Sequence, residues 1–207
     1  MPKPITIVAG FGRCGSSLVM QMLAAGGMPT PYSEYPSYEI NFSNTQVLMQ
    51  ALQGGAIKVL DPHINRPPIG PEYRWIWLDR DPVQQAKSMA KLWKAATMEM
   101  AGVGPGAYRE FTEDQIVKLA EAFKRDRPQA NGLMLKYTPA QGILKLRFEM
   151  ILAEPAFAAY SLNKFCGGKL DEAKMVAAVR PRTPECLPYL MEFEQMAEAE
   201  AREAPNG

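Results

Sequence analysis

Imidazole is almost missing from this sequence: His63 is the one histidine in 207 residues. The three cysteines, Cys14, Cys166 and Cys186, are odd in number and far apart. Neither a metal-ligand cluster nor a disulfide framework can be drawn from such a set. With no secretory leader after Met1-Pro2-Lys3-Pro4, this cysteine usage predicts a reduced, cytoplasmic chain. Charge of one sign is lacking as well: 23 basic residues face 22 acidic ones, a formal net charge of +1. No broad field therefore draws the chain to nucleic acid or to an anionic membrane. No apolar run is long enough to span a bilayer. An anionic ligand must be held by arginines placed locally.

What is present begins near the amino terminus. Ile5-Thr6-Ile7-Val8-Ala9 reads as a buried strand, Gly10-Phe11-Gly12-Arg13-Cys14-Gly15-Ser16-Ser17 as a glycine loop, and Leu18 to Ala25 as a helix. In that order the three build a phosphate cradle. Glycines let backbone N–H groups turn inward, and the helix start adds unpaired amides and the positive end of its dipole. The spacing from Gly10 to Gly15 matches the P-loop, but the lysine of nucleoside triphosphate loops is absent. Ser16 stands in its place, and Arg13 is the only cation in the loop. The pattern points away from ATP hydrolysis and towards another phosphorylated nucleotide. Gly15, Ser16 and Ser17 would donate to a phosphate, with Arg13 bridging more distal oxygens. The plain alternative is a strand-to-helix turn with no ligand.

The length predicts one domain over residues 1–207, with a C-terminal helix or tail from about 184. Ala56 to Leu60, Trp75 to Leu78 and Ile143 to Phe148 read as further buried parallel strands. Helical stretches alternate with them. This predicts an α/β, P-loop-type three-layer sandwich, with a mainly parallel central sheet flanked by helices. Leu18, Val19, Met22 and Leu23 should face inward from the first helix. A second helix starts at Pro82, with Val83, Ala86, Ala90 and Trp93 as its apolar stripe. Thr112 and Gln115 form a capping box for a helix from Glu113 to about Arg125. Pro155 to Cys166 is helical and stops at Gly167-Gly168, Asp171 caps a short helix, and Pro184 opens a last one. Ala101 to Ala107 is a glycine-rich loop.

A second functional element is Asp79-Arg80-Asp81-Pro82 with Ser88. Arg80 ends a strand, at the edge where open α/β sheets bind ligands. Ser88 falls opposite the apolar stripe of its helix, outside the core. An arginine and a serine converging there would bind a second phosphate; taken alone, they read as a surface ion pair and a solvated serine.

Together the two elements resemble the sulfotransferases that use 3′-phosphoadenosine 5′-phosphosulfate (PAPS). By that resemblance Gly12, Arg13, Cys14, Gly15, Ser16 and Ser17 bind the 5′-phosphosulfate, and Arg80 with Ser88 binds the 3′-phosphate. Leu146-Arg147-Phe148-Glu149, Leu152-Ala153-Glu154-Pro155 and Phe165-Cys166-Gly167 resemble the strand and helix that follow in bacterial members. These stretches cover less than half of the chain, and their shared order carries the likeness.

The chain also departs from the family. Where cytosolic members carry Lys-Thr-His, this sequence has Lys58-Val59-Leu60, so the histidine base of that branch is absent. His63 lies three residues later, a candidate base or an exposed loop histidine. The family's late glycine-rich cofactor motif is missing; Arg180 and Arg182 cover part of its role or form a basic turn. Some bacterial and carbohydrate members use a glutamate after the P-loop helix, which points to Glu34, with Glu39 and Asp61 as competitors. Tyr32, Tyr35, Tyr38 and Phe42 either stack on an acceptor or pack this connection onto the sheet.

The resemblance implies in-line sulfuryl transfer to a hydroxyl or amine of a small-molecule or carbohydrate acceptor, leaving 3′-phosphoadenosine 5′-phosphate. Arg13 and the loop amides would stabilise the leaving oxygen, Lys58 would assist, and Glu34 would accept the proton. No metal is required. Two rivals stand beside this reading: a P-loop kinase holding magnesium at Asp61 or Asp79, and a sulfotransferase-like chain that binds a nucleotide or partner without catalysis.

Overall fold

The computed structural model describes residues 3–30, 54–68, 72–101, 111–137 and 142–186. Four parallel strands form one sheet: β1 (Ile5–Gly10), β2 (Ala56–Leu60), β3 (Tyr73–Asp79) and β4 (Ile143–Arg147), in the order β2-β1-β3-β4. β1 is central, with Val8 opposite Lys58 on one side and Ile76 on the other. Both its faces are covered, which is why every one of its residues is apolar or small and buried. The chain leaves β1 for one flank and returns to the other, so the carboxyl ends of β1 and its neighbours splay into a crevice.

On one face of the sheet lie α1 (Ser16–Ala25) and, after a one-and-a-half-turn α4 (Phe148–Ala153), α5 (Pro155–Cys166) and α6 (Glu172–Ala177). Val8, Ile76, Leu78 and Leu146 meet Val19, Met22, Leu23 and Leu162 there. The other face carries α2 (Pro82–Ala101) and α3 (Glu113–Tyr137), packed on Ile7, Ala9, Ile57, Val59 and the two tryptophans of β3. Trp75 and Trp77 are core residues, as their alternation predicts. The three-layer α/β architecture is the one expected.

Several boundaries differ from expectation. α3 runs on past Arg125 through Pro128 to Tyr137. Ala130 and Met134 are fully buried against the sheet and Tyr137 packs on Tyr73, so tertiary burial carries the helix through its proline. β4 stops at Arg147, and Phe148 opens α4 instead of ending the strand. β4 is not fully buried either: Lys145 and Arg147 are exposed, because among the described residues β4 is an edge strand. On α1, Met20 is buried and Leu18 only partly so. On α2, Ala86 and Ala90 are buried, while Val83 and Trp93 are more than a third exposed.

The Thr112–Gln115 capping box forms, with Thr112 N–H donating to Gln115 Oε1 at 2.9 Å and Gln115 N–H to Thr112 Oγ1 at 3.3 Å. Gly167, at φ 107, ends α5, and Asp171 Oδ1 accepts from Lys174 N–H at 3.1 Å to cap α6. Tyr32 to Phe42, Gly102 to Ala107 and everything after Cys186, including the body of the expected last helix, lie outside the described residues.

Candidate anion-binding site

The loop after β1 is shaped by two residues in the left-handed region, Arg13 (φ 68) and Gly15 (φ 96). Gly15 is also the residue from which α1 starts, so its backbone cannot be borrowed by a bulkier side chain. A Cβ there would lie 2.5 Å from Phe148 Cδ2. The first-turn amides of α1 have no acceptor within the helix.

Cys14 turns the other way. Its side chain is fully buried, and its Sγ occupies the space a Cβ on Gly10 would need. Its N–H donates to Phe11 O at 3.2 Å, so this amide is already committed. Burial pushes the thiol up to about 11, against the opposing pull of the Ser16 amide and hydroxyl and of Lys58. Ser16 is buried beside that sulfur. Ser17 is half-exposed, and Lys58 Nζ donates to its Oγ at 3.2 Å. Period-two alternation puts Lys58 on the α1 face of β2, where it is 3% exposed.

Arg80, at the exit of β3, is 5% exposed. Its Nη1 donates to Arg13 O at 3.2 Å and its Nη2 to Pro184 O at 3.1 Å, leaving Nε–H buried without a partner. Burial, then Arg182, then Arg13 hold the guanidinium below the usual arginine range, opposed by Cys186 and Glu149. Arg80 and Arg182 both stack on the Phe148 ring, 4.5 and 5.0 Å from its centroid. Arg13 Nε donates to Ser88 Oγ at 3.0 Å. Ser88 is therefore buried, contrary to its position on the helical wheel: it is covered by the site and not by the core. Three guanidinium groups from three distant segments are gathered here, an arrangement an anion would relieve.

Asp81 caps α2 through Oδ1, which accepts from Val83 N–H and Gln84 N–H, while its own N–H donates to Glu149 Oε1 at 2.7 Å. Two residues that the sequence reading missed complete the frame. Gln85, 1% exposed, donates from Nε2 to Phe11 O and Gly12 O. Gln84 Oε1 accepts from Cys186 N–H at 2.9 Å, tying down the segment that carries Arg182. Gln85 lies one turn before Ser88 on the same face of α2, a spacing that could have flagged it. Phe148 entered only as part of the Leu146-Arg147-Phe148-Glu149 likeness, with no role of its own.

The remaining candidates fall elsewhere. His63 packs edge-on to Phe11, 5.6 Å between centroids, and its Nδ1 is buried without a partner. This contact is on the α2/α3 side of the loop, whereas Lys58 meets Ser17 on the α1 side. Asp79 is committed to Arg127 (3.1 Å) and Trp77 Nε1 (2.9 Å). Arg180 is exposed. Glu34 and Glu39 lie outside the described residues.

No protein-family model matches the chain, and no curated protein sequence does. Among solved structures it is similar to the "Sulfotransferase Domain from the Synechococcus PCC 7002 Olefin Synthase" (TM-score 0.52, 18% identity, 99% of this chain and 96% of that one covered). It is also similar to the "Sulfotransferase Domain from the Curacin Biosynthetic Pathway" (TM-score 0.46, 13% identity, 98% and 99% covered). The first of these likenesses extends over nearly the whole of both chains: the chain has the fold of a sulfotransferase domain.

Proposed function

We propose that this chain is a sulfotransferase that uses PAPS and acts on a hydroxyl or amine of a small-molecule or carbohydrate acceptor in the cytoplasm. One observation carries the reading: the loop cation Arg13 and the strand-end pair Arg80 and Ser88 meet within hydrogen-bond distance, with Arg182 beside them across Phe148. A ligand with two separated anionic groups suits such a site. The donor set fits it, since the buried Nε–H of Arg80 awaits an acceptor and the loop, with positive φ at Arg13 and Gly15, runs into the start of α1.

On this reading Arg13, Gly15, Ser16 and Ser17 hold the 5′ side with Gly12 and Cys14 as the frame of the loop, and Arg80, Ser88 and Arg182 hold the 3′-phosphate. When bound, PAPS supplies an activated sulfuryl group on a good leaving group. Arg13 and Lys58 neutralise charge on the loop side, a pre-arranged electrostatic contribution that needs no covalent step by the protein. Glu34 takes the acceptor proton, ahead of Glu39, Asp61 and His63. A kinase using Asp79 for magnesium is disfavoured, because Arg127 and Trp77 already hold its Oδ1.

Titration calorimetry with 3′-phosphoadenosine 5′-phosphate, 5′-AMP and Mg-ATP tests the proposal. Binding that depends on the 3′-phosphate is expected. Preference for Mg-ATP, or no binding of any of the three, overturns it.

A further inference from the structure

We infer that Gln85 is a positioning residue that aims the backbone of the phosphate-binding loop; the inference deepens the sulfotransferase reading and rests on it for its ligand. Gln85 is buried in the first turns of α2, and its single amide nitrogen reaches two successive loop carbonyls, Phe11 O at 3.1 Å and Gly12 O at 2.8 Å. In a planar trans peptide the C=O and the following N–H point in opposite directions. Pinning Phe11 O and Gly12 O against Gln85 therefore turns the N–H groups of Gly12 and Arg13 away from α2. Free to rotate, either peptide could present its carbonyl, the negative end, to the crevice in place of its amide.

The clasp acts where local geometry is least self-sufficient. Arg13 holds a positive φ without being glycine, a conformation that short-range sterics disfavour. One turn further along α2, Ser88 Oγ receives Arg13 Nε, so consecutive turns of one helix set first the backbone and then the side chain of residue 13. Both hydrogen bonds of Gln85 go to the loop and neither to Arg80, Phe148 or Arg182, which gives its removal a signature of its own.

The test is titration of the full chain with 3′-phosphoadenosine 5′-phosphate and with 5′-AMP, alongside the denaturation midpoint of each sample. Gln85→Met keeps the length but strips the donor, leaving two buried carbonyls short of a partner. It is expected to weaken both nucleotides by the same factor, about tenfold or more, preserving the preference for the 3′-phosphate. Arg80→Ala is the contrast, with a loss confined to the 3′-phosphorylated nucleotide. Affinities for Gln85→Met within about twofold of wild type, or a changed preference, overturn the inference.

Gln85→Glu adds a readout that a merely structural role would not move. Its carboxylate repels both carbonyls, while its protonated form restores one donor. Burial against two carbonyls raises such a carboxyl above the ordinary glutamate range, so affinity relative to wild type at the same pH is expected to recover as pH falls from about 8 to about 5, and a flat ratio overturns the inference even if Gln85→Met fails to fold. Wild-type protein that binds neither nucleotide removes the sulfotransferase reading and this inference together; wild-type binding with unaltered Gln85 variants removes only the inference.

Discussion

Arg80 concentrates the chemistry of the site in one side chain. It is buried, stacked on Phe148, bonded to two carbonyls, and left with one nitrogen, Nε, buried without a partner. Arg80→Ala is expected to weaken 3′-phosphoadenosine 5′-phosphate by roughly 2–4 kcal/mol, the cost of truncating one side of a buried charge-assisted pair, while 5′-AMP affinity stays near wild type. Calorimetry on the two ligands checks this. The cysteines make a separate prediction. Burial pushes Cys14 and Cys166 up to about 11 from 9.0. Between those values the unfolded chain ionises thiols that the folded chain keeps protonated, so folding is favoured fully below pH 9 and loses that contribution as pH rises through 11. Urea midpoints should fall over that window, and less steeply in a Cys14→Ala/Cys166→Ala chain. Arg13, Arg80 and Ser88 were legible in the sequence because motif spacing marks them. Cys14 was expected among the phosphosulfate ligands, yet its side chain serves the core and its N–H is taken by Phe11 O; that depends on Gly10 leaving room for its sulfur, which spacing does not encode.

At the scale of elements, caps and turns were the readable part. The capping box at Thr112, the stop at Gly167 and the Asp171 cap are local, and each formed where its residues predict. What overran them was tertiary burial, as in α3, which ignores its internal proline because its last turns are needed to cover Tyr73 and Trp75. Thr112→Ala should lower stability by about 1 kcal/mol in chemical denaturation, the usual worth of an N-cap. The junction of loop and α1 is less forgiving. Gly15→Ala meets both a positive φ and the Phe148 ring. Paired with Phe148→Ala it should lose the clash but keep a backbone cost of about 1–2 kcal/mol, a partial recovery visible in a double-mutant cycle.

For the molecule as a whole, the near balance of charge sets how a ligand arrives. A net charge of +1 exerts little pull at a distance, and the cations of the site are buried or stacked, not spread over the surface. Association rates for 3′-phosphoadenosine 5′-phosphate, measured by stopped flow, should therefore change only weakly with added salt. The alternation of strand and helix made the three-layer sandwich legible from composition and periodicity alone. The strand order that makes β1 central was not, because it depends on which flank each crossover takes. One ring gathers the outcome: Phe148 lies against Gly15 and under both Arg80 and Arg182, residues drawn from four separate stretches of the chain. Those four positions are bound to be inherited as a set. A segment exchanged with a related chain that carries some of these four residues preserves the cradle only if it brings a matching partner for that ring, so such a site diverges in blocks and resists change one residue at a time.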